Sequence, residues 1–187
     1  MPFERPGARA SGAGASGAGA NADKATDPEA VARILCLRQL DARARTRAEL
    51  AAYLNRKGVP PEPAARVLDR FAQVGLIDDS ALAESFVESR HREAGLSRRA
   101  LTQKLRQRGV SDEVIESAVA VVDSEAELAA ARDLVRRKLR SVATLEPQVQ
   151  ARRLVGMLAR KGYPPGLAYH VVRERLAEAE LPTDLDD

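Results

Sequence analysis

Apolar side chains recur along this chain at the spacing of amphipathic α-helices, in three copies of one pattern. In each copy two leucines four residues apart precede a basic residue and a glycine, and an apolar pair follows nine and ten residues after that glycine. The three glycines are Gly58, Gly109 and Gly162, which stand 51 and 53 residues apart. A register shared over about 20 positions, three times, indicates an internal repeat.

Start and stop signals divide each copy into three helices. The glycine ends the middle helix of its copy as a C-cap residue. The expected openings are Ser, Thr or Asp N-caps and N-terminal prolines. In chain order they are Asp27-Pro28, Thr46 (with Glu49 as a capping box), Pro60-Pro61, Asp79 or Ser80, Ser97, Ser111, Ser124, Pro147 and Pro164-Pro165.

The resulting prediction is an all-α protein of nine helices, built as three tandem three-helix repeats. Each repeat looks too small to bury its apolar faces alone, so the repeats should stack into an elongated, curved array. The predicted segments are a disordered Gly/Ala/Ser tail (1–28), repeat one (29–76), repeat two (77–123), repeat three (124–178) and an acidic, frayed C-terminus (179–187).

Side-chain positions in the first helix follow from the same spacing. Val31, Ile34 and Leu35 should lie on one inner face, together with the stem of Arg38. The one cysteine, Cys36, stands in an apolar run and should be a buried, inert thiol. No stretch approaches 18 consecutive apolar residues, so we expect a soluble, cytoplasmic protein without a membrane span.

Charge is arranged in blocks, although the formal net charge is only +3. The stretch from Arg90 to Arg108 carries seven bases and one acid, Asp112 to Glu127 carries six acids and no base, and Arg132 to Lys161 is basic again. Such a banded surface suits a polyanion or an acidic groove, although solvated helix faces are an alternative explanation. The candidate binding residues are Arg98, Arg99, Lys104, Arg106, Arg108, Arg136, Arg137, Lys138, Arg152 and Arg153.

Catalytic and cofactor motifs are missing from the sequence. His91 and His170 stand in different repeats without metal-ligand spacing, and no phosphate-binding, dinucleotide-binding or GxSxG motif is present. The pair Asp78-Asp79 lies at a helix start, where capping accounts for it better than acid–base chemistry. We therefore expect no enzyme activity, no metal and no cofactor.

The basic-Gly turn between two helices, taken alone, is typical of a helix-turn-helix protein that reads DNA. The helices that would enter the major groove carry Glu62, Asp69, Glu113, Glu116 and Glu174, among other acids, which would repel phosphates. Sequence-specific DNA reading is therefore disfavoured, and the basic middle helices would make phosphate contacts independent of sequence.

The central run VGLIDDSALAESFVESRHREAGLSRRALTQKLRQRGVSDEVIESAV resembles the RecX family of RecA regulators. The likeness lies in a Gly-Leu-Ile-Asp-Asp hinge, an A-x-x-F-V-x-x-R segment, a lone glycine and L-x-x-x-L-x-x-R-G-V, in that order. It covers about residues 30 to 177. Leu82 departs from the pattern, because the family commonly has an aromatic residue there.

The resemblance implies a monomeric, modular helical protein that binds the RecA recombinase filament in its groove and inhibits ATP hydrolysis and strand exchange. Single- or double-stranded DNA within the filament would be a possible second, nonspecific partner. Two alternatives stay open. One is a nonspecific nucleic-acid-binding protein that acts without RecA, and the other is a helical scaffold for an unrelated partner.

Overall fold

The computed structural model describes residues 27–180, and these residues form nine α-helices and no β-strand. The helices are α1 (Pro28–Ala42), α2 (Arg47–Arg56), α3 (Pro61–Gln73), α4 (Asp79–Ala94), α5 (Arg98–Gln107), α6 (Asp112–Val119), α7 (Ser124–Leu139), α8 (Pro147–Arg160) and α9 (Pro165–Glu180). Pro28 begins α1 rather than ending the tail. The remainder of the predicted tail up to residue 26, and residues 181–187 of the predicted frayed end, lie outside the described residues.

The helix starts agree with the predicted openings except at α4; at α7, Ser124 is the first helical residue and Asp123 is the N-cap. Thr46 and Glu49 complete a reciprocal capping box at α2, and Ser97 and Ser111 accept backbone amides at α5 and α6. The prediction of Asp79 or Ser80 as the cap of α4 is wrong, because Asp78 is the N-cap. The carboxylate of Asp79 instead accepts the backbone N–H of Arg47, 2.9 Å away in the preceding repeat.

The predicted inner face of α1 is wrong in part: Leu35 packs against the core of the first three helices as predicted, but Val31 and Ile34 do not face it. Val31 and Ile34 are 39% and 52% exposed, whereas Ala32 and Cys36 are fully buried. Helix α1 carries apolar side chains on both faces, so periodicity does not choose between them, and the small residues allow a close approach to α3. Cys36 is a buried thiol as predicted, and burial raises its pKa to about 11.

Three separate hydrophobic cores replace the continuous stacked core that we expected. Unit one (α1–α3), unit two (α4–α6) and unit three (α7–α9) each enclose a cluster of their own. Each cluster is built around two fully buried leucines of the middle helix: Leu50 and Leu54, Leu101 and Leu105, Leu154 and Leu158. Three helices are thus enough to bury the apolar faces of a unit, and neighbouring units meet through smaller, partly polar joints.

The first joint is formed by the glycine turn of unit two, which we define as the basic C-cap residue and the glycine that follows it. The hydroxyl of Thr46 donates to the carbonyl oxygen of Arg108 at 2.6 Å and accepts the amide of Glu49. A methyl group added to Gly109 would lie 2.3 Å from Cβ of Ala48, so the turn rests directly on the first turn of α2.

The second joint repeats this arrangement one unit later. The backbone N–H of Ser97 donates to the carbonyl oxygen of Lys161 at 3.0 Å. A methyl group added to Gly162 would lie 2.7 Å from Cβ of Ala100, in the first turn of α5. The hydroxyl of Tyr163 also donates to the carbonyl oxygen of Gly95 at 3.2 Å, and burial raises the pKa of Tyr163 to about 12.

The two joints contain the only fully buried polar side chains in the described part of the chain, Thr46 and Ser97. Within residues 27–180, every hydrogen bond between units links neighbours along the chain. The units are therefore arranged in series, one to two and two to three.

Glycine is required at these turns for its positive φ, and at the joints also because a side chain would overlap the neighbouring unit. Alanine substitution separates these two roles. Gly58, Gly109 and Gly162 share a positive φ of 76°, 74° and 89°, but nothing lies within 4 Å of the added methyl group at Gly58. We expect Gly58→Ala to lower the free energy of unfolding by about 1 kcal/mol through backbone strain alone. Gly109→Ala and Gly162→Ala should lose a further ~1–3 kcal/mol because of the steric overlap at the joint.

Urea denaturation of the three variants, compared at equal m-value, measures this difference. If the free energy of unfolding falls equally at all three positions, the joints are not closely packed.

Candidate functional site

Helix α8 and the end of α7 form a groove in unit three with basic walls. Lys138, Arg152, Arg153 and Arg160 line a cavity of about 1070 Å³, together with small and apolar residues and no acid. Three of these four were predicted as binding residues, and the fold brings them to one cavity. We call this cavity the unit-three groove.

A second groove runs along the joint between units two and three. Arg99 and Lys104 of α5 line it from one side, and Arg160 and Tyr163 line it from the other, around a volume of about 440 Å³. We call it the joint groove; no acidic side chain lines it. Arg160 borders both grooves. Together they present a basic band, which consists of Arg99, Lys104, Lys138, Arg152, Arg153 and Arg160.

The helical register explains why these side chains converge. The buried leucines Leu154 and Leu158 turn one side of α8 toward the core, so residues on other sides reach solvent. Arg152 and Arg160 are eight residues apart and so occupy the same face. The sequence prediction missed Arg160, although this spacing from Arg152 could have identified it.

Arg108 lies in the first joint and not on an open surface. Its side chain is 19% exposed, and its guanidinium Nε is 2.9 Å from a carboxylate oxygen of Glu49. The same guanidinium lies 5.8 Å from the ring centroid of Phe86, within the range of a cation–π interaction. We therefore assign Arg108 to the contact between units one and two, and the basic band does not include it.

The other four predicted residues lie outside the two grooves. Arg106 pairs with Asp112 at 2.7 Å, and Arg136 and Arg137 both pair with Asp133. Arg98 has an exposed side chain, and its backbone N–H donates to Glu127 across the second joint. Exposed pairs of this kind contribute little to stability, but they lower the local positive potential around these arginines.

The described residues show no sign of a metal centre or a membrane span. Within residues 27–180, no group of three or more His, Cys, Asp or Glu side chains is arranged to hold an ion. None of the helices in that range is both long and apolar enough to cross a bilayer. His91 contacts the carbonyl oxygen of Leu96 at 2.9 Å, so its ring serves the α4–α5 turn.

These features define a class of protein: a helical-repeat protein whose small three-helix domains carry an exposed basic band. The family models that match are the first, second and third three-helix domains of RecX, over residues 32–71, 78–119 and 125–172. The chain belongs to the RecX family.

Curated relatives support this assignment over most of the chain. The "Regulatory protein RecX" of Streptomyces coelicolor is 47% identical over 179 residues, which cover 96% of this chain and 95% of the relative. The protein of the same name from Thermobifida fusca is 50% identical, with coverage of 82% and 83%. That of Mycolicibacterium smegmatis is 51% identical, with coverage of 84% and 87%.

A solved structure has the same fold at low sequence identity. The crystal structure of RecX from Lactobacillus salivarius superposes with a TM-score of 0.68 at 17% identity, covering 79% of this chain and 96% of the other. A second crystal structure of a regulatory protein RecX gives a TM-score of 0.67 at 22% identity, covering 83% of this chain and 76% of the other. These two likenesses concern the fold alone.

The Arg108–Glu49 contact predicts an acid-sensitive first joint. Burial alone would raise the pKa of Glu49, but hydrogen bonds from Arg108 and from the Thr46 amide, with the charge of Arg108, lower it below its usual value. A depressed carboxyl pKa stabilises the fold above the unfolded-state value of about 4.3, and this stabilisation is lost as pH falls through the folded-state pKa.

We expect Glu49→Gln to be less stable than the natural chain by about 1 kcal/mol at pH 7. The difference should shrink as the pH is lowered below the unfolded-state value. Denaturant midpoints of both proteins over a pH series measure this, and a gap independent of pH would show that the ion pair does not stabilise the joint.

Proposed function

We propose that this protein is a negative regulator of RecA that binds the RecA–DNA filament, lies in its groove and inhibits ATP hydrolysis and strand exchange. It would act in the cytoplasm, in recombination and DNA repair, as a monomer without a cofactor. The observation that carries the proposal is the combination of RecX family membership with the basic band of units two and three.

The arrangement of the units supports attachment to a repeating partner. Each unit has its own core, and within the described residues the hydrogen bonds between units link only neighbours along the chain, so the units offer successive surfaces to a partner. A filament offers copies of one surface at regular intervals. Contacts made by separate units would then reinforce one another through effective concentration, so that each contact can be weak.

Inhibition by this route requires no catalytic activity of the regulator. A protein that occupies the filament groove blocks the passage of a second DNA strand and opposes the protomer movements that accompany ATP turnover. The proposed interface on this protein is the basic band, whose six side chains would face acidic protein surface or DNA phosphates. Arg98, Arg106, Arg136 and Arg137 flank the band and would contribute less, since three of them pair with acids.

A second candidate function is nonspecific nucleic-acid binding without RecA. The absence of acidic residues from the lining of both grooves favours it, because such a surface suits a phosphate backbone. Binding to bare DNA would then fall steeply with salt. Charge reversal at two band residues should reduce the slope of log K against log salt by about two.

The first test is the single-strand-DNA-dependent ATPase of RecA, with this protein added after the filaments have formed. We expect the rate to fall at ratios well below one molecule per RecA protomer, because each bound array affects several protomers. If the ATPase rate does not change while RecA is free to bind and the DNA is not saturated, the proposed function is contradicted.

Charge reversal tests the interface itself. We expect Arg152→Glu/Arg160→Glu to weaken inhibition by about tenfold or more, because two bases of the band become acids. The matched control is Arg33→Glu/Arg38→Glu, which changes the same charge at two exposed residues of α1 far along the chain. Equal inhibition by both double variants would exclude the basic band as the interface.

A further inference from the structure

Unit one carries a glycine turn of the same construction as those that form the two joints. Lys57 and Gly58 end α2 with a φ of 76° at the glycine, and the amides of Gly58 and Val59 return to Asn55 and Leu54. The turns of units two and three close with the same pattern of amide contacts at the equivalent positions. The three turns therefore present the same backbone shape.

The turns of units two and three both dock on one kind of surface. In each case that surface is the N-terminus of a helix, with Thr46 or Ser97 as N-cap and Ala48 or Ala100 in the first turn. The N-cap residue donates a hydrogen bond to the carbonyl oxygen of the basic C-cap residue of the turn.

The basic side chain of each turn then reaches back to a carbonyl oxygen at or just after the end of the preceding first helix. Arg108 Nη2 donates to the carbonyl oxygen of Ala44, two residues after α1, at 3.4 Å, and Lys161 Nζ donates to that of Ala94, the last residue of α4. A docking surface for a glycine turn therefore combines three features: a Ser or Thr N-cap, a small residue in the first turn, and a backbone carbonyl at or just after a helix end nearby.

Among the residues that the structure describes, no such surface lies against the glycine turn of unit one. Lys57 and Gly58 are exposed, and no heavy atom approaches within 4 Å of a methyl group placed on Gly58. Among residues 27–180, Lys57 makes no ion pair or side-chain hydrogen bond, and its ammonium group lies 5.8 Å from the Tyr53 ring centroid. Unit one therefore has a glycine turn that contacts no other described unit.

A second copy of this chain does not supply the missing surface at its free unit. Unit three would have to offer the N-terminus of α8, but Glu146 there provides no side-chain cap. Counting back from the glycine, Gln150 occupies the position of Thr46 and Ser97, and it lies inside the helix with its amide bonded to Leu145. The open turn therefore fits a different protein.

We infer that the glycine turn of unit one docks on a helix N-terminus of a RecA protomer in the filament. That helix has a Ser or Thr N-cap and an alanine or glycine in its first turn, and the Lys57 ammonium group donates to a helix-end carbonyl beside it. The inference rests on the proposed function and extends it, because it adds to the basic band a second contact at the opposite end of the array.

Two glycines permit a matched test. Gly58 and Gly75 have φ values of 76° and 74°, and nothing lies within 4 Å of an added methyl group at either. Gly58→Ala and Gly75→Ala therefore carry the same backbone strain, but only the first places a methyl group on the docking face. The readout is co-sedimentation of each full-length variant with preformed RecA filaments on single-stranded DNA.

We expect Gly58→Ala to bind filaments about tenfold or more weakly than the natural chain, and Gly75→Ala to bind like it. Lys57→Glu, which adds no backbone strain, should also weaken binding. Suppose that the natural chain co-sediments with the filaments and that Gly58→Ala and Lys57→Glu both bind them as tightly as it does. This result would overturn the inference and leave the proposed function intact.

The remaining outcomes also decide the matter. If the natural chain itself does not co-sediment with the filaments, both the proposed function and this inference are overturned. Concentration-dependent self-association that Gly58→Ala abolishes would assign the turn to contacts between copies of the chain instead of a RecA protomer.

Discussion

The close approach of a glycine turn to the first turn of a neighbouring helix is the contact on which the order of the units depends. A side chain larger than hydrogen at Gly109 or Gly162 would overlap Ala48 or Ala100, so the backbone itself forms the interface. The same glycine must also adopt a positive φ to end its own helix. One residue type therefore satisfies a local and a long-range requirement at the same position.

The joints differ in character from the interiors of the units. Each interior is apolar and built on paired leucines, whereas each joint centres on a buried hydroxyl that is a helix N-cap. The Thr46 hydroxyl donates to the carbonyl oxygen of Arg108 and the Ser97 backbone N–H donates to that of Lys161, so these bonds form only when the next unit is correctly placed. The joints consequently specify how units meet, while the cores supply most of the free energy that keeps each unit folded.

The basic band depends on one of these joints. Its α5 residues and its α7 and α8 residues belong to different units, and they form one surface only because the turn at Gly162 rests on α5. Arg160 immediately precedes that turn, so the contact that orders units two and three also sets the position of the base that borders both grooves. A change in the joint would therefore alter the distance between the two halves of the proposed interface.

The sequence by itself determined the helices, most of their caps and the three tandem repeats, because these follow from local spacing and from hydrogen bonds within a few residues. It also located the basic blocks. It could not decide which apolar face of α1 is buried, since Val31 and Cys36 satisfy helical spacing equally well. It could not separate Arg108, which pairs with Glu49 across a joint, from Arg152, which reaches solvent. Those outcomes depend on contacts between residues far apart in the chain, such as Arg108 and Glu49 at a separation of 59 positions, which only the tertiary structure brings together.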